Sequence, residues 1–175
     1  MKRAKSRGLR PDFKLDLPQE ITPEFLASEG ITGLILDLDN TLTRWEEVEA
    51  APGIIDWVEA MKAAGVKMVI LSNGLHGKQQ HVSSELELPL ISAFLPKPFA
   101  MGFRLALKRL AIPPEKVAMV GDIVFTDIYG ANLLGIKTIL VDPLSNIDFP
   151  GTKIWRLFEA VFKLRHPHGK HTNNG

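Results

Sequence analysis

The chain has 175 residues, 45% apolar, 23% charged and 7% aromatic, with a formal net charge of +1, which is the size and composition of one soluble globular domain. It has no cysteine, which excludes disulfides, thiolate metal sites and cysteine-nucleophile chemistry. No apolar run approaches the ~18–20 residues that cross a bilayer, and Met1–Arg10 lacks the hydrophobic stretch of a secretory signal, so a cytoplasmic location is expected.

Residues 1–30 read as a basic extension, since Lys2, Arg3, Lys5, Arg7 and Arg10 all precede the first acid, Asp12. Apolar strand candidates follow at 31–38, 66–72, 91–95, 117–121 and 136–141. Between the first two, a helix starts near Pro52 with Ile54, Ile55, Val58 and Met61 on one face, and Gly65 ends it. Further helices are predicted within 75–87, over 98–111 with Phe99, Phe103, Ala106, Leu107 and Leu110 buried, and near 126–134. Strands alternating with helices imply right-handed βαβ units around a parallel sheet, an α/β core over 31–150. Residues 151–175 are expected to form an amphipathic helix at 152–164 and a basic tail.

Polar clusters stand at the ends of four strands, and in a parallel sheet those ends share one edge. Asp37 and Asp39 follow the first strand, Ser72 and Asn73 the second, Lys97 the third, and Gly121-Asp122 with Thr126-Asp127 the fourth. Asp37, Asp122 and Asp127 place hard oxygens in one pocket, which suits Mg²⁺. Without a histidine or cysteine cluster beside them, zinc is not expected. Asp37 is the candidate nucleophile on phosphorus. Lys97 offsets charge on the phosphoryl oxygens, and Asp39 protonates the leaving group and then deprotonates water. Only about ten residues, 42–51, separate the acidic loop from the next helix, and no large insert follows Ser72. No cap domain is therefore expected, and the site should lie open.

These residues, in this order, resemble the haloacid dehalogenase superfamily. Its DxDxT motif appears as Asp37-Leu38-Asp39-Asn40-Thr41, its Ser or Thr as Ser72, its Lys as Lys97, and its GDxxxTD as Gly121 to Asp127. The resemblance implies a three-layer Rossmann-like α/β fold with a central parallel sheet, an aspartyl-phosphate intermediate and Mg²⁺. It also implies that the backbone carbonyl of Asp39 joins Asp37, Asp122 and Asp127 as a metal ligand. Thr41, Ser72, Asn73 and Lys97 are then the candidate phosphate-binding groups. An acid at position 39 points to a phosphatase or phosphomutase, and the missing cap argues against a mutase.

Gly33 to Leu42, Ser72-Asn73, Lys97-Pro98 and Leu9-Arg10-Pro11 look like the capless YqeG-like branch, subfamily IIIA. That branch includes proteins similar to the mitochondrial phosphatidylglycerophosphate phosphatase, so a phosphorylated lipid headgroup is the substrate this resemblance implies. Trp155, Phe158 and Phe162 beside Lys153, Arg156 and Lys163, with the basic N-terminus, offer peripheral contact with an anionic membrane. No nucleic-acid partner is expected. The alternatives are a soluble nucleotide or sugar phosphate as substrate, and a non-catalytic phospho-accepting receiver module.

Overall fold

Each apolar run becomes a strand, and in the computed structural model, which describes residues 8–73, 77–92 and 94–145, all the strands lie parallel in one sheet. The elements in chain order are β1 (Phe13–Lys14), α1 (Pro23–Ser28), β2 (Gly33–Leu36), α2 (Ile54–Ala63), β3 (Lys67–Ser72), α3 (Lys78–Glu85), β4 (Leu90–Ser92), α4 (Ala100–Leu110), β5 (Val117–Gly121), α5 (Gly130–Asn132) and β6 (Lys137–Leu140). Short 3₁₀ turns at Pro18–Glu20 and Pro114–Lys116 and a π-helical turn at Val124–Tyr129 complete them.

The spatial order is β1-β6-β5-β2-β3-β4. Every residue of β2 is buried, because it lies between β3 and β5 and has apolar layers on both faces. Side chains alternate across a strand. Leu34 and Leu36 join Ile54, Trp57, Val58, Met61 and Val82 on one face of the sheet, and Ile35 joins Val69, Leu71, Phe103, Ala106 and Ala131 on the other. These two apolar clusters bind helices to both faces of the sheet. The result is the expected three-layer α/β architecture. From β2 the chain winds outward through β3 to β4, then returns across the sheet to β5 on the other side of β2. The strand order reverses there, and a crevice opens at the carboxyl ends of β2 and β5.

Several local readings change. Phe13–Lys14 forms a sixth, edge strand beside β6, and Ile21 and Leu26 enter the core, so the described part of the N-terminal stretch packs on the sheet. Phe99, predicted to be buried, is exposed, and Ile55, grouped with Ile54, Val58 and Met61 on one helix face, is exposed while those three are buried. Phe99 precedes the first turn of α4, where the buried face, Gly102, Phe103, Ala106 and Leu110, has not yet begun. The helix predicted near 126–134 is instead the π-helical turn running into α5. The helix predicted at 152–164 lies outside the described residues.

Candidate active site

β2 delivers Asp37 to the crevice. The backbone N–H of Asp37 still donates to Val120 of β5 at 2.9 Å, which fixes where its side chain begins. The chain then turns sharply. Asn40 adopts a left-handed conformation at φ 60, which asparagine tolerates better than most residues. Thr43 N and Leu42 N both return to Leu38 O, and the turn buries Thr41 with its hydroxyl 3.4 Å from Asp37 Oδ2. The side chain of Asn40 accepts from Trp45 N at 3.2 Å and from Ser145 Oγ at 2.7 Å. It thus ties the acidic turn both to the loop over the site and to the chain beyond β6.

Across the crevice, β5 ends in Gly121-Asp122, and the π-helical turn carries Asp127 back over the strand. A Cβ at Gly121 would sit 2.8 Å from Asp127 Cβ, so only glycine leaves room for the carboxylate. The N–H of Ile123 donates to Asp127 Oδ2 at 3.1 Å and holds it in place. Gly130 serves the same close packing, since a Cβ there would lie 2.6 Å from the Phe103 ring.

Lys97 enters from the β4–α4 connection. Its ammonium bonds Asp37 Oδ1 and lies 2.7 Å from Asp127 Oδ1. Asn73 grips the backbone of Lys97 from both ends of its amide: Lys97 N donates to Asn73 Oδ1 at 2.6 Å, and Asn73 Nδ2 donates to Lys97 O at 3.3 Å. Asn73 is thus occupied as a brace for the lysine. Ser72, the last residue of β3, accepts from the buried Gln79 amide at 3.1 Å, which orients the hydroxyl at the crevice floor.

The electrostatics follow from burial. Desolvation pushes the Asp37 carboxyl up from 3.8 to about 7, with Lys97 opposing and the charges of Asp127 and Asp39 adding. Burial works against the Lys97 charge too, but Asp127 and Asp37 together outweigh it and hold the ammonium above its ordinary range. Asp37, Asp122 and Asp127 are all buried, with one oxygen of each within 4.8 Å of the others. Three carboxylates against one ammonium leave two negative charges when all are ionised. With a donor set of carboxylate oxygen alone, the residues present fit a hard divalent cation such as Mg²⁺.

The side chain of Asp39 lies outside that group. It pairs with Lys78 at 2.9 Å, and Lys78 also donates to the carbonyls of Arg44 and Trp45 at 2.8 and 2.9 Å, with the Trp45 ring 5.6 Å away. An ammonium has three donors, and all three are used. Lys78, the first residue of α3, is therefore a strut that ties Asp39 and the Arg44–Trp45 loop to that helix. Sequence reasoning missed Lys78, Gln79 and the double grip of Asn73. In sequence, Lys78 and Gln79 read as polar positions on a surface helix, and nothing local marks them.

Comparison with known proteins agrees with this geometry. Residues 10–135 match the family described as haloacid dehalogenase-like hydrolase. The probable phosphatase YqeG of Bacillus subtilis is 38% identical over 73% of this chain and 74% of its own length. A glyceraldehyde 3-phosphate phosphatase of Pyrococcus furiosus is 34% identical over 72% of this chain, but the match spans only 52% of that protein. A chloroplastic and mitochondrial phosphatidylglycerophosphate phosphatase of Arabidopsis thaliana is 29% identical over 73% of this chain and 39% of its length. Among solved structures, CbbY of Rhodobacter sphaeroides in complex with phosphate shares the fold, at TM-score 0.56 and 16% identity over 69% of this chain and 91% of its own.

Proposed function

The chain belongs to the haloacid dehalogenase-like hydrolase family, and from that premise we propose that it is a Mg²⁺-dependent phosphomonoesterase acting through an aspartyl-phosphate, with phosphatidylglycerophosphate as its substrate. The observation that carries this reading is the cluster of three buried carboxylates at the strand ends, two of them paired with one buried ammonium. A cluster so charged is costly in a fold that does not use it.

An oxygen of Asp37 attacks phosphorus, the P–O bond to the alcohol breaks, and the phosphoryl group passes to the carboxylate. Lys97 balances charge on the phosphoryl oxygens and on the nucleophile, while the buried Thr41 and Ser72 donate hydroxyl hydrogen bonds to those oxygens. Asp39 gives its proton to the departing alkoxide, then takes one from the water that hydrolyses the acyl-phosphate. Mg²⁺, held by Asp37, Asp122, Asp127 and the carbonyl of Asp39, would supply Lewis-acid stabilisation of the phosphoryl oxygens.

The lipid substrate is supported by the named activity of the Arabidopsis relative and by the short connection after the acidic turn. Among the described residues a short connection links Asp39 to α2 (Ile54–Ala63) with no inserted domain, which supports room for a headgroup presented by a bilayer. A soluble ester is the second reading, favoured by the name of the Pyrococcus relative. Phosphate release from phosphatidylglycerophosphate in mixed micelles, beside a panel of soluble esters, separates the two. Preferred turnover of the lipid, lost in EDTA and restored by Mg²⁺, is expected. Faster turnover of a sugar or triose phosphate would overturn the lipid assignment, and chelator-proof turnover would overturn the metal.

A further inference from the structure

Five of the nine large apolar side chains left exposed among the described residues fall between 94 and 105: Phe94, Leu95, Phe99, Met101 and Leu105. Phe94 is 91% exposed, an unusual state for an aromatic side chain that no described residue covers. The same stretch carries no acid, for none lies between Glu87 and Glu115. Its basic residues are Lys97, which is neutralised in the site, and the exposed Arg104, Lys108 and Arg109 of α4. None of these three is held in an ion pair among the described residues.

These residues are ordered in depth. α4 starts at the crevice rim, directly after Lys97-Pro98, and runs back along the sheet. Its buried face is Gly102, Phe103, Ala106 and Leu110, so Met101, Arg104, Leu105 and Lys108, at i, i+3, i+4 and i+7, form one outward stripe. At ~1.5 Å per residue, Arg104 lies about 5 Å and Lys108 about 10 Å behind Met101. An apolar tip with basic side chains set back by these distances matches the acyl boundary and phosphate layer of an anionic lipid surface. A second copy fits poorly, because face-to-face pairing would set Arg104, Lys108 and Arg109 against their own images with no acid to receive them.

We propose that the β4–α4 rim is the surface on which this protein docks to an anionic bilayer, with Phe94, Leu95, Phe99 and Met101 entering the headgroup boundary and Arg104 and Lys108 meeting lipid phosphates. Docked so, Lys97 and the three acids face the membrane. The inference rests on the lipid reading for its purpose, but docking is measured without substrate.

The test is cosedimentation of the full chain with phosphatidylcholine vesicles, with and without phosphatidylglycerol. Binding that requires phosphatidylglycerol is expected. It should fall about tenfold or more in Arg104→Glu/Lys108→Glu, given roughly fivefold per basic residue, and clearly in Phe94→Ser/Phe99→Ser. Hydrolysis of p-nitrophenyl phosphate should be unchanged in both, which also shows that they fold. Wild-type binding by both variants, or binding indifferent to lipid charge, overturns the proposal. So does a wild-type dimer that the variants disperse, because the rim would then be a subunit contact. If phosphatidylglycerophosphate is not hydrolysed but docking still follows the variants, the substrate reading falls and the docking surface stands. If the lipid is hydrolysed in micelles and docking ignores the variants, only the docking surface falls.

Discussion

Two lysine–aspartate pairings meet the acidic turn after β2, through Asp37 and Asp39, and behave differently. Inside, Lys97 sits between Asp37 and Asp127, 2.7 Å from the latter, with its side chain 2% exposed. Outside, Lys78 meets Asp39 at 2.9 Å, with side chains 20% and 23% exposed. Residue types and distances are nearly equal, so burial makes the difference. Water screens the outer pair, and its Coulomb energy is small. The inner cluster is cut off from water, which displaces the ionisation of both Asp37 and Lys97 and makes any one charge costly to remove. The inner group is thus held by burial and mutual charge, and the outer one is a solvent-screened contact.

The largest effect should come from the nucleophile. Asp37→Asn is expected to lower turnover by at least about 10³-fold while far-UV circular dichroism stays native; retained phosphate release would remove Asp37 from its role. Lys97→Met leaves buried acids unopposed, and a loss of about 3–5 kcal/mol in urea unfolding of the metal-free protein is expected. Asp127→Asn in that background should recover part of the loss, and no recovery would mean the two groups do not oppose each other.

At the outer pair, Asp39→Asn should slow alkyl phosphates by roughly 10²-fold or more and aryl phosphates, whose leaving groups need no proton, far less. Equal slowing of both classes would contradict the acid role. The pH dependence of the inner cluster has a definite sign. The Asp37 carboxyl stands near 7 in the folded, metal-free chain against 3.8 ordinarily, so the folded state binds this proton more tightly. That contribution is complete below pH 3.8 and is lost as the pH rises from there through 7. The thermal midpoint in EDTA should fall across this window and fall less in Asp37→Asn; identical slopes would deny the shift. Smallest of all, Lys78→Met should cost under about 1 kcal/mol of stability, and a loss as large as that of Lys97→Met would erase the contrast between the pairs.

Much of the site is legible before any fold is known, because its residues are tied to local signals. An apolar run followed by acids at i and i+2 places Asp37 at a strand end, and each later cluster likewise follows an apolar run, so all of them come to one edge of the parallel sheet. The edge strand β1 left no such signal. Two residues cannot display a period, and Phe13–Lys14 is a strand only because β6 offers a ladder and Thr138 exchanges bonds with Asp12. Phe99 was misjudged because helical period assigns faces within a helix and says nothing of a residue just before its first turn.

By itself, then, the amino-acid order determined the alternating layers, the parallel sheet and the identity of the acids and lysine at its strand ends, since these follow from side-chain period and residue chemistry over a few neighbours. Only the tertiary structure decided which acids share a buried pocket and which faces water, that Lys78 braces Asp39, and that the described residues of the β4–α4 rim expose apolar side chains. Those outcomes depend on burial and on distances between segments remote in the chain, and both quantities exist only once the sheet has closed around its core.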